Sequence, residues 1–272
     1  MSTPSLQYRI ASLRRRVGAW LHWHVIVPIA FMLTTKNWRP FFSDKPDKSD
    51  TTYYFRSGYS LTVPAGSTNI NPYIAVWLNH VYDHGDIAWN DAKTIIDIGA
   101  HIGAFSLYAA KKAPHAKIFS YEPDPVTEGY LRKNITQNHC EHRIKSNLAA
   151  VGGAEGTGTL HVLPSRSEAN SMYRTLEGGH TIPVRVTMLQ KIFDDENIEE
   201  CDLLKMNAEG VEYEIFYGLP VDYLRRIKVI VMNYHVFVKK PRCTPQELQA
   251  YLESHGFAVT EQGKRIFVAV RR

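Results

Sequence analysis

A short run between Thr94 and Tyr108 constrains the fold more than any other part of the chain. Its sequence is T-I-I-D-I-G-A-H-I-G-A-F-S-L-Y, an apolar β-branched run followed by a turn and by apolar residues at helical spacing. The first part predicts a buried strand that ends at Asp97. Gly99 and Gly103 bracket the turn, where glycine allows a positive φ and a close approach to the backbone. The order strand, glycine-rich turn, helix is typical of doubly wound α/β proteins that bind nucleotide-derived ligands.

The spacing of this turn separates two kinds of cofactor. Dinucleotide sites carry G-x-G-x-x-G after the strand, whereas this chain has D-x-G-x-x-x-G. Asp97 is poorly placed for a pyrophosphate and well placed for a cation, such as the amino and sulfonium groups of S-adenosylmethionine (SAM). Glu122 ends the next predicted strand, where an acid commonly accepts ribose hydroxyl groups. An ordinary βα turn between two charged strand ends is the alternative interpretation.

Strand and helix patterns alternate through the rest of the chain and predict an α/β fold with a mainly parallel sheet and helices on both faces. The predicted strands are 94–97, 117–122, 143–151, 159–163, 181–188, 203–206, 229–232, 257–260 and 266–270, and the helices are 104–112, 126–138, one from about 211, and 245–255. Residues 164–180 are polar and lack periodicity, which predicts a mobile loop and a candidate lid. A hairpin over 53–63 and a helix over 70–82 are expected to cap the site.

Composition limits the classes of partner. The net charge is +5, but the Lys and Arg residues are dispersed, so no nucleic-acid partner is expected. The three cysteines are far apart and odd in number, which predicts a reducing, cytoplasmic compartment rather than a disulfide scaffold. His139, Cys140 and His142 lack a second ligand cluster, so no metal site is predicted.

The N-terminal segment differs from the remainder, and we expect residues 1–50 to be an extension with a linker and 51–272 to be the main domain. After Arg14-Arg15-Arg16, residues 17–33 are apolar and contain two Trp, two His and a Pro. The run is short for a transmembrane helix and lacks a clear cleavage site for a signal peptide. It suits a helix lying on an anionic membrane surface. Packing on the domain or on a second subunit is the alternative.

A second informative stretch, residues 201–219, has the sequence C-D-L-L-K-M-N-A-E-G-V-E-Y-E-I-F-Y-G-L. It predicts a buried strand, a turn that contains Asn207 and Glu209, and a helix. Asn233 and His235 follow the next predicted strand. Because ligands of open α/β sheets bind outside the carboxyl ends of the strands, these four side chains are expected on one rim with the first glycine turn.

Taken in order, D-I-G-A-H-I-G-A-F-S, Y-E-P-D-P and L-L-K-M-N-A-E-G-V-E-Y-E closely resemble the FkbM-type SAM-dependent methyltransferases over about residues 53–270. The resemblance implies a class I (Rossmann-like) fold with a seven-stranded sheet and methyl transfer to an oxygen of a sugar or polyketide-like small molecule. It implies that Asp97, Gly99 and Gly103 hold the methionine end of SAM and that Glu122 holds the ribose. The predicted cofactor site also includes Ala100, His101 and Asn207.

The chain departs from the family pattern at two positions. The family usually has Asp where Asn207 stands and often Glu where Asn233 stands, and an amide cannot act as a base. His235 is therefore the predicted base for a hydroxyl acceptor, because its ordinary pKa is near neutral. A hydrogen-bonded rim histidine without a catalytic role is the alternative. Glu209 is predicted to orient the acceptor or to stabilise the turn, and Glu212 to be structural.

Three functions remain open at this point. The leading hypothesis is a SAM-dependent methyltransferase that acts on a small-molecule or glycan hydroxyl, in the cytoplasm and in peripheral contact with a membrane through residues 17–33. A nicotinamide-dependent oxidoreductase is a rival, against which the missing glycine and the E-G-x-E turn argue. A non-catalytic scaffold that keeps the fold and binds SAM or a membrane surface is the other.

Overall fold

Seven strands form the central sheet of the computed structural model, which describes residues 17–18, 20–42, 49–65, 70–175, 177–238, 240–263 and 265–272, except for the side chains of 164 and 165. The sheet order is β11-β12-β10-β9-β3-β4-β5. The strands of this sheet are β3 (Thr94–Ile98), β4 (Lys117–Glu122), β5 (Ile144–Leu148), β9 (Cys201–Met206), β10 (Ile227–Asn233), β11 (Phe257–Gln262) and β12 (Ile266–Arg271). Only β12 runs antiparallel to its neighbours. The predicted α/β class and the mainly parallel seven-stranded sheet are confirmed.

Helices follow the strands, as the alternating pattern predicts. They are α1 (Val27–Thr34), α2 (Asn71–Tyr73), α3 (Ala104–Lys112), α4 (Pro125–Gln137), α5 (Leu189–Asp195), α6 (Glu212–Gly218), α7 (Val221–Leu224) and α8 (Pro245–Ser254).

The local sequence explains where the longer helices begin. Asp124 caps α4 by accepting from the Val126 N–H, and Thr244 and Glu247 form a reciprocal capping box at α8. A proline opens both helices, at the position where a missing N–H costs nothing.

The strand order reverses at β3, and this reversal fixes where a ligand can bind. From β3 the chain proceeds through β4 to β5 on one side, and later through β9 to β10 on the other. The connections that follow β3 and β9 therefore lead to opposite sides, which leaves a crevice at the carboxyl ends of these two strands. β3 is buried on both faces, as Ile95 and Ile96 are 0% exposed. The strand thus places its C-terminal loop rigidly at the crevice.

A second, three-stranded sheet lies outside the central sheet, and the sequence did not predict it. It consists of β6 (Ala150–Gly152), β7 (Gly156–Val162) and β8 (His180–Met188) in the order β6-β8-β7. β7 and β8 form a long antiparallel ladder, and β8 pairs with β6 in parallel. The predicted mobile loop between β7 and β8 contains a 3₁₀ turn, Pro164–Ala169, and a bridge from Ser171 to His161. Its mobility remains a prediction.

The predicted hairpin and the helix after it lie beside the central sheet. The hairpin is β1 (Thr51–Tyr54) and β2 (Ser60–Val63), and Asn134 of α4 holds it by exchanging hydrogen bonds with the Thr62 backbone. The predicted helix over 70–82 is shorter than expected. It consists of α2 and a wider helical turn, Ile74–Leu78.

The described part of the N-terminal extension is a helix that packs on the domain along one side. A π-type turn, His22–Ile26, leads into α1. Val27 and Phe31 of α1 are buried in the same hydrophobic cluster as Ile95. No helix among the described residues is long and apolar enough to cross a membrane. Most of the predicted linker, residues 43–48, lies outside the described residues, and the domain boundary at residue 50 remains a prediction.

Candidate active site

A cavity of about 270 Å³ lies at the carboxyl ends of β3, β4 and β9. The loop after β3 forms its floor, the turn after β9 forms one wall, and residues 71–76 with α3 form another. Glu168, Asn170 and Met172, between β7 and β8, complete the lining. The stretch predicted as a lid therefore contributes to the cavity.

Asp97 lies beneath this cavity and is 0% exposed. Its Oδ1 accepts from Lys205 Nζ at 2.8 Å, and its Oδ2 accepts from Ser106 Oγ at 2.6 Å. Lys205 Nζ also donates to the Gly99 carbonyl at 2.8 Å. Direct binding of the cofactor by Asp97 was the expectation from sequence. In the structure its carboxylate is bound by Lys205 and Ser106, so Asp97 acts on the cavity through Lys205 and the glycine turn.

Gly99 and Gly103 are required by the protein's own packing. Gly99 has φ +72°, and a Cβ there would lie 2.0 Å from the backbone oxygen of Asn207. Gly103 has φ +93°, and its Cβ would lie 2.8 Å from Leu131. From the sequence, we expected a ligand to make the close approach to this turn. The structure shows that the chain itself makes it, because the turn after β9 packs directly on the loop after β3.

Glu122 stands at the end of β4 and lines the cavity, where the sequence placed the ribose acceptor. Its carboxylate accepts from the backbone N–H of His101 at 2.9 Å and of Asp124 at 3.1 Å. Burial raises the pKa of Glu122 to about 8, and the nearby Asp124 adds to the effect. Both oxygens retain further lone pairs, so the carboxyl group can accept additional hydrogen bonds from a ligand.

His101 is the only residue of the β3–α3 loop with an imidazole, and Ala100 beside it also lines the cavity. Its Nε2 lies 2.8 Å from Ser167 Oγ, and its Nδ1 is buried without a hydrogen-bond partner. Burial, with the positive charge of Lys205, lowers the pKa of His101 to about 3. The imidazole is therefore neutral at physiological pH, and it provides one ring nitrogen for a ligand.

Asn207 follows β9 directly, and its position is fixed by the backbone. Its N–H donates to the Ile98 carbonyl at 2.9 Å. Its side-chain Oδ1 is buried and has no hydrogen-bond partner. An unpaired buried carbonyl costs free energy, so such atoms in native sites commonly mark the place of a ligand. Asn207 lines the cavity, as the sequence predicted.

Glu209 lines the same cavity and belongs to a buried charged cluster with His235 and Glu212. His235 Nε2 lies 3.2 Å from Glu209 Oε1, and His235 Nδ1 lies 2.6 Å from Glu212 Oε1. Burial alone would lower the pKa of His235, but the hydrogen bonds to the two carboxylates outweigh it and raise the pKa to about 9. The imidazole is consequently protonated at neutral pH.

This arrangement corrects the prediction that His235 is the base. An imidazolium holds no free lone pair for a proton, and His235 is not among the residues that line the cavity. Glu212 is 0% exposed, and its Oε2 accepts from the Gly210 N–H, in agreement with the structural role expected for it. Asn233 ends β10 and is also absent from the lining. The group of this cluster that faces the cavity is Glu209.

The backbone of Glu209 is held in an unusual conformation. Its φ is +48°, which costs a non-glycine residue roughly 1 kcal/mol. Ser171 Oγ donates to the Glu209 carbonyl at 2.8 Å and the side chain binds His235, so contacts from two elements hold this conformation. Such strain is typical of positions where a side chain must face a ligand.

Lys205 lines the cavity, and its place in the site was not predicted from the sequence. Its Nζ lies 5.3 Å from the ring centre of Tyr82 and 5.6 Å from that of Phe105. A signal was present, because a lysine interrupts the apolar strand L-L-K-M. A charged residue in a buried strand needs a partner, and Asp97 is that partner.

The hydrogen-bond acceptors around the cavity fit a cationic cofactor. Among the described residues that line it, Glu122, Glu168 and Glu209 carry carboxyl groups, and the one ammonium group, of Lys205, is already paired with Asp97. The unpartnered oxygen of Asn207 adds an acceptor for an ammonium group. The chemistry of this donor set suits the methionine and ribose parts of SAM better than a pyrophosphate, which would require cationic or N–H donors.

The match to a protein family and to sequence relatives points in the same direction. Residues 97–259, more than half of the chain, match the family model described as the methyltransferase FkbM domain. Methyltransferase sdnD of Sordaria araneosa is 26% identical over 217 residues, which span 69% of this chain and 82% of sdnD. The 31-O-demethyl-FK506 methyltransferase FkbM of Streptomyces tacrolimicus is 23% identical in an alignment of 245 residues. That alignment covers 76% of this chain and 92% of that enzyme. Among solved structures, precorrin-6Y C5,15-methyltransferase of Geobacter metallireducens superposes with a TM-score of 0.42 at 18% identity, over 69% of this chain and 84% of that one.

Proposed function

Because the chain belongs to the FkbM methyltransferase family, we propose that it transfers a methyl group from SAM to a hydroxyl oxygen of a small molecule such as a sugar. The observation that supports the proposal best is the buried, unpartnered Oδ1 of Asn207 in a cavity lined by the carboxyl groups of Glu122 and Glu209. Family membership removes the rival hypothesis of a nicotinamide-dependent oxidoreductase. The identity of the oxygen acceptor belongs to the proposal and rests on the cavity's chemistry.

The proposed cofactor site follows the carboxyl edge of β3, β4 and β9. Glu122 would accept from the ribose hydroxyl groups, and Asn207 Oδ1 would accept from the amino group of the methionine part. Gly99, Ala100 and the neutral His101 would provide the floor of the site. When bound, SAM supplies an electrophilic methyl group on a positively charged sulfur, so the protein's task is mainly to orient the acceptor and exclude water.

Glu209 is the proposed group that receives the acceptor hydroxyl. Its carboxylate faces the cavity, and the imidazolium of His235 holds it from behind. In this position Glu209 would accept the hydroxyl hydrogen bond, orient the oxygen and take the proton as it leaves. Glu212 holds the other ring nitrogen of His235, so it acts through His235 as a positioning residue.

Apolar residues on the opposite wall would exclude water from the reacting atoms. Tyr82 and Phe105 are buried and line the cavity together with Pro72, Ala75 and Val76. Burial raises the pKa of Tyr82 well above its ordinary value, so its hydroxyl group stays neutral. A neutral, largely apolar wall strengthens the electrostatic contacts made by the carboxylates facing it.

Calorimetry tests the cofactor site. We expect the purified chain to bind SAM and S-adenosylhomocysteine, and Glu122→Gln to weaken both by roughly tenfold, because the amide replaces one acceptor oxygen by an N–H donor and a ribose hydroxyl left unpaired costs about 1.4 kcal/mol. Glu253→Gln is the matched control, since Glu253 is exposed on α8 and distant from the lining. Absence of heat with both compounds would refute the proposed cofactor site.

A transfer assay tests the acceptor. Methyl-labelled SAM is incubated with pools of sugars, polyketides, amines and carboxylic acids, and the product is identified by mass spectrometry and NMR. We expect a methyl ether, which resists mild base, whereas a methyl ester would be hydrolysed. Label only in amines or esters would contradict O-methylation of a hydroxyl group while leaving the methyltransferase assignment intact.

A cofactor-binding protein without transferase activity is the second candidate. It is favoured by Asn207, which stands where the family resemblance predicts an Asp. Asn207→Asp separates the two hypotheses. If the wild-type chain binds SAM but transfers no methyl group to any pool, and Asn207→Asp does, the binding protein is the better description. Activity of the wild-type chain on any pool rejects it.

A further inference from the structure

The domain covers only a small part of the apolar surface of the N-terminal helix. Val27 and Phe31, four residues apart, are buried against the core. Between residues 17 and 33 a second set of large apolar side chains points outward, each between 38% and 69% exposed: Val17, Trp20, Leu21, Trp23, Val25, Ile26, Ile29 and Leu33. Scattered exposed apolar residues are ordinary, but a contiguous set on one helix marks an interaction surface.

We propose that this exposed side of residues 17–33 docks the protein on an anionic phospholipid bilayer. Within the described residues no helix is long and apolar enough to cross a membrane. On a bilayer, this helix would lie in the interface with its Trp and aliphatic side chains among the lipid chains. Trp20 and Trp23 are half exposed, and indole rings favour the boundary between lipid and water. The proposal is independent of the reaction proposed for the cavity.

The charges around the helix are complementary to anionic headgroups. Residues 1–43 contain Arg9, Arg14, Arg15, Arg16, Lys36 and Arg39, and no Asp or Glu. Lys36 and Arg39, at the C-terminal end of the helix, are exposed. Basic residues that flank an apolar interfacial helix strengthen its binding to anionic lipid.

The same charges argue against a second copy of the chain as the occupant. A symmetric dimer through this surface would bring two acid-free, basic segments together, and like charges across an interface oppose association. A bilayer with anionic headgroups covers the apolar side chains and neutralises the flanking charges together. The bilayer therefore satisfies both properties of the surface.

The helix is attached firmly to the cavity wall, so docking would fix the orientation of the site. Phe31 packs against Tyr53 and Tyr73, with ring centres 5.4 and 6.0 Å apart. Tyr73 belongs to α2, and its neighbours Pro72 and Ala75 line the cavity. A bilayer bound to the outer side of α1 would thus be one layer of side chains and one short helix away from the cavity.

Sedimentation of the full-length chain with vesicles tests the proposal. We expect binding to vesicles of phosphatidylglycerol and phosphatidylcholine in equal parts to be at least about tenfold tighter than to pure phosphatidylcholine, and to weaken at about 0.5 M salt because screening shortens the range of charge attraction. The double variant Trp20→Ser, Ile29→Ser should bind at least about tenfold more weakly. The control pair Val126→Ser, Leu148→Ser removes exposed apolar side chains from the central domain and should bind like the wild type.

A charge-reversal pair provides a second, independent measurement. Lys36→Glu, Arg39→Glu should abolish the preference for anionic vesicles. Lys117→Glu, Arg272→Glu makes the same change of net charge at the edge of the sheet where the parallel strands begin, away from their carboxyl ends. This control variant should retain the preference. Unchanged melting temperature and SAM affinity show that each variant is folded.

Three results would overturn the proposal. They are equal binding of the wild type to neutral and anionic vesicles, undiminished binding by both helix variants, and a wild-type dimer in solution that the Trp20→Ser, Ile29→Ser variant dissociates. The last result would assign the surface to self-association.

Discussion

The loops after β3 and after β9 touch each other, yet they use their charged residues in different ways. Just before the first loop, at the end of β3, Asp97 directs both carboxylate oxygens into the protein, to Lys205 and Ser106. In the second, Asn207 and Glu209 turn towards the cavity. The acid that precedes the first loop therefore supports the fold, whereas the polar side chains of the second loop line the cavity.

This difference shows that the most recognisable residue of a sequence motif need not be a residue that lines the cavity. The acid of the glycine motif was the starting point for a cationic cofactor, but in the structure it is a buried support. Its role is to hold Lys205, whose ammonium group then binds the Gly99 carbonyl and shapes the loop. Asn207 and Glu209, which do line the cavity, come from a turn whose most conspicuous feature in the sequence was the departure at Asn207.

The largest expected effect is on stability, and it tests whether the buried ion pair of Asp97 with Lys205 supports the fold. Lys205→Met should lower the free energy of unfolding by about 4 kcal/mol in urea titrations, because it leaves a buried carboxylate without its partner. Lys228→Met is the control. Lys228 forms exposed ion pairs with Glu200 and Asp202 and should contribute less than about 1 kcal/mol.

The double variant Asp97→Asn, Lys205→Met sharpens this test. Removing both charges should recover much of the lost stability, since the desolvation cost then disappears with the pair. A cost below about 1 kcal/mol for Lys205→Met would contradict the supporting role of the pair.

The next effect tests the packing of one loop on the other. Gly99→Ala should destabilise the fold by about 3 kcal/mol and abolish SAM binding, because the new Cβ would collide with the Asn207 carbonyl. Gly58→Ala is a control for positive φ alone. Gly58 has φ +93° and open space around its Cβ, so the cost should be about 1 kcal/mol. Thermal unfolding and calorimetry measure both variants, and equal costs would mean that only φ matters.

A smaller effect tests the second loop as the source of reactive groups. Glu209→Gln should lower kcat about 100-fold with SAM affinity changed by less than about threefold, because the amide keeps the shape but cannot take a proton. Glu214→Gln, in the following helix and paired with Lys240 on the surface, is the control. Steady-state kinetics with the acceptor from the transfer assay measure both. A Glu209→Gln enzyme with unchanged kcat would remove Glu209 from the proposed chemistry.

The smallest effect follows from the charge of His235. Its pKa is about 9 in the folded chain against an ordinary value of 6.5. The folded state therefore binds the proton more tightly, and this stabilisation is complete below pH 6.5 and is lost as the pH rises through 9. Relative to His235→Gln, the wild type should lose about 5 °C of melting temperature between pH 6 and pH 9.5. Parallel pH curves for the two proteins would show that the imidazolium contributes nothing.

The local elements of the fold were predictable because their signals lie in neighbouring residues. The bounds of α3 and β4 agree with the sequence prediction, as both have apolar periodicity and clear ends. The second sheet was missed for a physical reason. β7 and β8 have the alternating pattern of any half-buried strand, and nothing local specifies which sheet they join.

The location of the site could be predicted from the sequence, but the ion pairs and hydrogen bonds within it could not. Asp97, Glu122, Asn207 and Glu209 gather at the carboxyl edge because the topology brings the strand ends together. The pairing of Asp97 with Lys205 joins residues 108 positions apart. The protonation of His235 depends on two carboxylates that contact it only in the folded chain. Such tertiary pairs decide which group is a base, and sequence spacing does not encode them.

The three-stranded sheet can change in sequence without altering the seven-stranded sheet. Leu160 of β7 and Met172 beyond it reach the cavity from a hairpin that shares no strand with the seven-stranded sheet. Substitutions or insertions there would reshape the pocket for a different acceptor while the cofactor end kept its geometry. Descendants of such a chain could therefore change substrate without rebuilding the enzyme.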